Sequence, residues 1–477
     1  MKNLFLIAVI GLVLMACGGK KPQSISEEVA AFVGQNENIA TFGLVRVSEI
    51  LNKADYKQIE KAGTLIDGEW QTIQKVLNTE EAVYFALATD PKNMSQPATV
   101  YAFAEVKNRD SLVANVKKHG YSVKKGKAFD LHESGDVAFA ITENRVVLVA
   151  TNQLTGGEAK LKKAIAEMKK EIKSEKVSEI LKAKGDIVFG SDIQASALGA
   201  AKSLKLKDKE LKNVQETTKD CYTTSSVFFE NGQMRMEMNY ELSDKMKGWV
   251  SYGNGQQEVL SKLGSGKPQM GFIMDIDMNK TMAFWNSLFP NFMDLISQQA
   301  SGQAQFALAM LGDKGLSGAI TGRMGVLMFN DKTDNKTEFN FHVGVGNELL
   351  NMAKSFSEGM KANMAKLNVS GNYFTGATSA KFANPGKITL PKGCENFGKK
   401  PMSMFFDFNG LESSPLGTMS GGTDLTALDY MFGEGDEKGF TMILKTKKSS
   451  ENVLKTIVGM VEKNIELRNS QYETSEF

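Results

Sequence analysis

The sequence predicts an α+β protein made of repeated strand-helix-hairpin-helix units, with largely antiparallel sheets covered by helices. Three observations predict it. First, four apolar runs share one pattern: "IATFGLVRVSEIL" from Ile39, "DIVFGSDIQASAL" from Asp186, "MGFIMDIDMNKTM" from Met270 and "MSMFFDFNGLESS" from Met402. Second, each run is followed by two strand-like stretches and then an amphipathic helix, so the chain repeats itself. Third, the hairpins alternate, with Phe339, Phe341, Val343 and Val345 on one side and Asn340 and His342 on the other. Such alternation fits antiparallel strands with one face on a core and the other toward water or a second layer.

In the first unit, "AVYFALATD" and "ATVYAFAEV" supply the hairpin, and a helix from Asp110 to His119 stops at Gly120. Capping by Asp110 and termination at the glycine are the signals for that helix. A further meander through "KAFDLHE", "VAFAIT" and "RVVLVAT" precedes a lysine-rich helix from Gly157 to about Ser174, whose apolar stripe is Leu161, Ala164, Ile165, Met168 and Ile172. The lysines of that helix read as a solvated face rather than a phosphate or lipid patch. Unit two turns its hairpin at Asn231 and Gly232, a strong two-residue signal, and continues into a short helix near Asp244 to Tyr252. Unit three has strands near Ala319 to Phe329 and Lys336 to Val345, then a helix from Asn347. The fourth unit has "ALDYMF" and "GFTMILKTK", then a helix from Ser450 with Val453, Leu454, Ile457, Val458 and Val461 on one face. "NGQQEVLSKLGSGKPQ" between units two and three reads as a flexible boundary, so two lobes are expected, residues 26–266 and 267–477.

The first 16 residues have the parts of an export signal: Lys2, an apolar core from Leu4 to Leu14, and small residues before Cys17. That core is shorter than the roughly 20 apolar residues a membrane helix needs. Residues 17–25 then form a tether, and removing 16 residues from 477 leaves 461, enough for more than one core. Basic and acidic side chains number 57 and 55, a balance without the excess of positive charge that nucleic-acid binding requires. Cys221 and Cys394 are the two further cysteines; they either pair or sit apart as buried thiols.

Candidate chemistry is sparse. "MDIDMNK" places Asp275 and Asp277 on one strand face about 7 Å apart, a spacing suited to a divalent metal or to shared acid and base roles. The corresponding positions are Asp192 and Gln194, Asp407 and Asn409, and Arg46 and Ser48, which share only the ability to cap or turn. Asp277 therefore reads as a helix cap in preference to a ligand. The histidines are His119, His132 and His342, without ligand spacing, and HExxH, CxxC, GxSxG and a complete phosphate loop are absent. "GSGKP" at Gly264 is a fragment of the last and reads as linker. Met234, Met236 and Met238 share one strand face, which suits packing better than soft-metal binding. No cofactor is expected.

Leu14, Met15, Ala16 and Cys17 resemble the lipobox of bacterial lipoproteins. With the run "ENIATFGLVRVSEILNKA" and the segment "YAFAEVKNRDSLVANVKKHGY", the chain resembles an uncharacterised domain-of-unknown-function family of lipoproteins from the Bacteroidota. The resemblance implies lipidation of Cys17, an envelope location and no catalytic residues to carry over. Gly18, Gly19, Lys20 and Lys21 stand where surface-displayed lipoproteins of such bacteria have acidic residues, which implies the periplasmic face of the outer membrane. The expected function is a non-catalytic binding or scaffold module whose partners are the membrane, through its anchor, and another envelope protein or a glycan. An envelope hydrolase or metal-dependent enzyme using Asp275, Asp277 and His342 is the alternative.

Overall fold

The computed structural model describes residues 23–474, apart from 59–61, 91–92, 122, 127–128, 135–136, 152–155, 291–319, 332, 334–335, 348–349, 351–363 and 412–424. The signal segment, residues 17–22 of the expected tether, and nearly all of the helix expected from Asn347, lie outside the described residues; the expected tether end at 23–25 is instead the start of a helix, with Ser24 as its cap and Ile25 as its first residue.

Every strand pairing among the described residues is antiparallel, and the strands form one sheet of 17. From one edge it runs β4 (Asp130–Ser134), β5 (Val137–Ile141), β6 (Arg145–Thr151), β3 (Asn93–Glu105), β2 (Val83–Asp90), β1 (Ile39–Val45), β7 (Ile187–Asp192), β8 (Tyr222–Glu230) and β9 (Gln233–Glu241). It continues through β17 (Gly439–Thr446), β16 (Leu428–Asp436), β15 (Met402–Asp407), β10 (Met270–Asp275), β11 (Ile320–Asp331), β12 (Lys336–Val345), β14 (Tyr373–Ala377) and β13 (Lys366–Ser370).

This corrects the expected fold class. Strand (37%) outweighs helix (33%), and the molecule is a sheet-dominated fold rather than a set of helix-covered strand-helix-hairpin-helix units. The physical reason is the edge of each hairpin. A terminal strand carries a row of unpaired N–H and C=O groups. Here β9 and β17 satisfy each other's row, from Gly439 opposite Asn239 to Lys445 opposite Gln233, and no helix is needed to cover them. Likewise β1 pairs with β7, and β10 with β15.

Helices pack mainly on one face. α1 (Ile25–Gln35) starts on a capping box, in which Ser24 accepts from the Glu27 amide and Glu27 reaches back to the Ser24 amide. Its Phe32 meets Tyr101 and Phe103 at ring distances of 4.9 and 5.3 Å. α5 (Gly157–Glu167) and α6 (Glu175–Ile180) complete this layer, and Leu161, Ala164, Val177 and Ile180 join Phe42, Leu44, Ala86, Val147 and Val188 in the main core. A second core joins Ile273, Leu327, Phe329 and Phe405 to Val259 and Leu263, which lie on or just after α9 (Gln256–Lys262), and to Cys394 and Phe397. On the opposite face lie α2 (Val47–Ala54) and α3 (Ala62–Val76), stitched to the end of β3 where Asn78 donates to the Glu105 carbonyl at 2.9 Å.

Several local readings are also corrected. α4 (Arg109–Lys118) is capped by Asn108, not Asp110. The expected helix near Asp244 to Tyr252 is a short 3-10 turn at Asp244–Met246, and the α-helix comes later, at α9. The lysine-rich helix ends at Glu167. On β12 the polar side is the buried one: Asn340 is 2% and His342 5% exposed, whereas Phe339 is 39% exposed. Asn340 Nδ2 donates to the carbonyls of Leu263 and Phe382 at 2.8 and 2.7 Å. The "GSGKP" stretch is consequently a packed turn, not a loose linker. Gly264 adopts φ +89, Ser265 N–H donates to Phe382, and Gly266 N–H donates to Lys387. An L-residue at 264 is strained by that φ and would press into the Phe382 carbonyl.

Candidate functional site

At the end of β10 the chain leaves the sheet, crosses Ile276 and enters α10 (Met278–Leu288). A polar cleft of about 510 Å³ opens there, lined among others by Tyr252, Asn254, Asp275, Asp277, Arg323 and Tyr373. It unites both aspartates of the "MDIDMNK" run, with His342 stacked behind Tyr373 at 4.7 Å.

The two carboxylates do not share a face. Asp275 is the last residue of β10 and is 2% exposed. Its Oδ1 accepts from Arg323 Nε at 3.2 Å, its Oδ2 accepts from the Gly255 N–H, and its backbone carbonyl accepts from Gly253 N–H at 2.8 Å. The approach is close enough that a Cβ at Gly253 would run into this carboxylate, and one at Gly255 into the Arg323 guanidinium. Asp277 has left the strand and is the N-cap of α10, with Oδ1 accepting from Lys280 N–H at 3.1 Å and Oδ2 facing Lys280 Nζ at 3.3 Å. Its counterpart is Asp192, which caps α7 (Ile193–Ser203) through the Ala195 N–H at 2.9 Å. Matching the apolar runs sets Asp192 against Asp275, but the caps align it with Asp277, two positions on: Asp192 is both the last residue of β7 and the cap, whereas Ile276 separates the last residue of β10 from its cap.

Arg323, on β11, organises the cleft. Besides Asp275, it donates from Nη1 to Glu258 at 3.3 Å and to the Tyr373 hydroxyl at 3.4 Å. Sequence reasoning missed Arg323 and Tyr373. A signal was present in the lone arginine of "ITGRMGVLMF", since a charge inside an apolar strand run calls for a partner. Thr321 lines the same cleft with a hydroxyl that is inaccessible and finds no hydrogen-bond partner among the described residues. Burial pushes the Tyr252 hydroxyl up to about 12, so it stays a neutral donor. Burial also lowers the His342 pKa and favours the neutral ring, whose Nδ1 lies 2.7 Å from Thr375 Oγ1.

These contacts leave both carboxylates engaged in holding the backbone and a cation. Among the described residues no cluster of three or more His, Cys, Asp or Glu side chains is placed to hold a metal ion. What the cleft presents is a set of hydroxyls, amides and two internally paired cations, suited to hydrogen bonding. His132 lies elsewhere, stacked on Phe139 at 4.8 Å, and His119 ends α4.

The Cys221–Cys394 pairing is not realised. Both are free and buried: Cys221 precedes β8 and accepts from Ser243 N–H at 3.2 Å, while Cys394 packs in the second core. Burial pushes the Cys394 thiol up to about 12, so it behaves as an inert apolar group.

No family model matches the chain, and no curated protein matches it. A solved structure described as "Structure of crystal form I of TP0453" shares 11% identity with a TM-score of 0.28, covering 45% of this chain and 78% of that one. A likeness of that size carries no argument about fold or function.

Among the described residues no helix is long and apolar enough to cross a membrane.

Proposed function

We propose that the protein is a non-catalytic lipoprotein of the cell envelope, anchored through Cys17 at the periplasmic face of the outer membrane, which acts as a binding or scaffold module. The observation that carries the non-catalytic part is the engagement of the candidate catalytic groups. The Asp275 carboxylate is bound to Arg323 and the Gly255 amide, Asp277 caps a helix, and His342 is buried against Tyr373. None of the three is left with the free, convergent geometry that a general acid, base or metal ligand needs. The lipobox order Leu14, Met15, Ala16, Cys17 supports the anchor.

A second supporting observation is the sheet surface opposite the main helices. Met234, Met236 and Met238 on β9 stand beside Leu444, Met442 and Phe440 on β17, and all six are half-buried. Methionine-rich surfaces adapt to varied partners, which suits a scaffold.

Two measurements test the reading. Acyl labelling and intact mass should show lipid on the wild-type chain and none on Cys17→Ser. Elemental analysis of the purified protein should find no stoichiometric divalent metal. One equivalent of metal that disappears in Asp275→Asn or Asp277→Asn would replace this reading with a metal-dependent envelope enzyme.

A further inference from the structure

A small apolar pocket of about 220 Å³ lies between α3 and the sheet face turned away from α1. Trp70, Ile73 and Leu77 form its helical wall, and Val47, Val83 and Ala104 form its floor. Asn78, Thr79 and Glu81 line it as well, and of these Glu81 is exposed to solvent. A mainly apolar lining with a few polar residues suits a hydrocarbon chain carrying a polar head, since apolar cavities stay dry and take apolar guests.

This lining is tied to the place where the chain emerges from its tether. Asn78 Nδ2 donates to Glu105 at 2.7 Å, Glu105 accepts from Arg145 Nη1 at 3.0 Å, and Arg145 Nη2 donates to the Gln23 carbonyl at 3.2 Å. Arg145 also holds Glu28 of α1 at 2.6 Å, so the start of the folded body is fixed at this end of the sheet. From Cys17 to Gln23 is six residues, which reach at most about 20 Å. Cys17 thus stands within about 20 Å of Gln23 along the chain, and Gln23 is linked through Arg145 and Glu105 to Asn78 of the pocket lining.

We infer that this pocket receives the end of one acyl chain carried on Cys17, so that the anchor lipid is shared between the membrane and the protein body. The inference rests on the lipid anchor proposed above. It commits to the protein's own lipid; a chain drawn from the surrounding bilayer is the competing source.

The test uses the full chain in two forms, lipidated wild type and soluble Cys17→Ser, with a fatty-acid series of increasing length and a terminally brominated dodecanoate as a contact quencher of Trp70. In the soluble form the pocket is vacant. Affinity should rise about fourfold per added methylene, the equivalent of about 0.8 kcal/mol each, and level off once the pocket is filled. Quenching should disappear in Trp70→Phe, and both Ala104→Phe and Leu77→Trp should weaken binding at least tenfold; two variants guard against one that fails to fold. The delipidated and lipidated proteins should differ, the wild type binding the probe at least tenfold more weakly because its own chain competes. Equal binding by the two forms assigns the pocket to bilayer lipid and overturns the inference. Absence of chain-length dependence in Cys17→Ser also overturns it. Should intact mass show no lipid on the wild type, the anchor itself fails, an outcome read separately from any binding by the soluble form.

Discussion

Replacing Asp275 with alanine should destabilise the protein without removing any chemistry. The carboxylate is 2% exposed and holds Arg323 Nε at 3.2 Å together with the Gly255 N–H. Breaking a buried ion pair from one side costs about 3–5 kcal/mol, because the remaining charge is left uncompensated. Here the cost is smaller, since the Arg323 side chain is 27% exposed and keeps Glu258 and Tyr373. The orphaned Gly255 amide adds about 1–3 kcal/mol. A net loss of about 3 kcal/mol follows, roughly a hundredfold in the folding equilibrium. Urea unfolding followed by tryptophan fluorescence should show a lower midpoint with an unchanged slope. Adding Arg323→Met to Asp275→Ala should recover part of the loss, a coupling of about 1–3 kcal/mol, because the two side chains touch. An unchanged midpoint in Asp275→Ala, or strict additivity with Arg323→Met, would refute a structural role for this carboxylate.

Three further outcomes are expected. His342 has a folded-state pKa below its ordinary 6.5, first because of burial, with Lys262 and Arg323 adding to the effect and Glu258 opposing it. The unfolded chain therefore binds its proton first, so stability is fully present above pH 6.5, falls as pH drops through the lowered folded value, and is level below it; the difference in unfolding free energy between wild type and His342→Gln, measured across that window, should follow this curve, and a flat difference would refute it. Asp277→Ala and Asp192→Ala should each cost about 1 kcal/mol as lost helix caps, with thermal melts as the check, and loss of a ligand-binding activity at full stability would argue against the cap reading for Asp277. Asn340→Ala should expose the turn at Gly264 to trypsin at Lys262 at least tenfold faster than wild type, because Asn340 holds the Leu263 and Phe382 carbonyls; first cleavage at this turn in the wild type would show it to be the loose boundary its composition suggests.

Features decided by neighbouring residues were legible in the sequence, and those decided by distant partners were not. The cap at Asp277 follows from its own side chain and the amide three residues on. The stripe of Leu161, Ala164, Ile165 and Met168 faces the core because helical geometry alone places those positions together. Asn340 and His342 defeated the same logic. Alternation identified two sides of the strand, but the buried side was set by carbonyls of a turn 77 residues earlier in the chain and by Phe382. Arg323 was missed for a related reason, since its partner Asp275 lies 48 residues away. Cysteine count was silent on pairing, and burial in separate places decided it.

The lateral joining of the strands belongs to the same class of long-range decisions, and its register can be argued from chemistry. Lys445 and Gln233, paired at one end of the β9–β17 junction, are 212 residues apart. Because side chains alternate along a strand, a slip of one residue would move Met234, Met236 and Met238 to the other face and bring Arg235 and Glu237 onto the methionine side. The opposite face forbids that exchange. Arg235 is paired with Glu230 at 2.8 Å, bonded to Glu237 and set over the Phe228 ring at 4.1 Å, while Lys445 reaches Gln233 at 3.3 Å. The Arg235 contacts lie within the β8–β9 hairpin and hold the facing of β9, while Lys445 and Gln233 form the polar pair that crosses the β9–β17 junction. The hairpin thus fixes which face β9 turns to β17, the Lys445–Gln233 contact marks the alignment, and the unbranched thioethers on the other face accommodate whatever shape the alignment leaves. That division of labour lets two strands distant in sequence find a single pairing, which is how hairpins that read as separate units become one sheet.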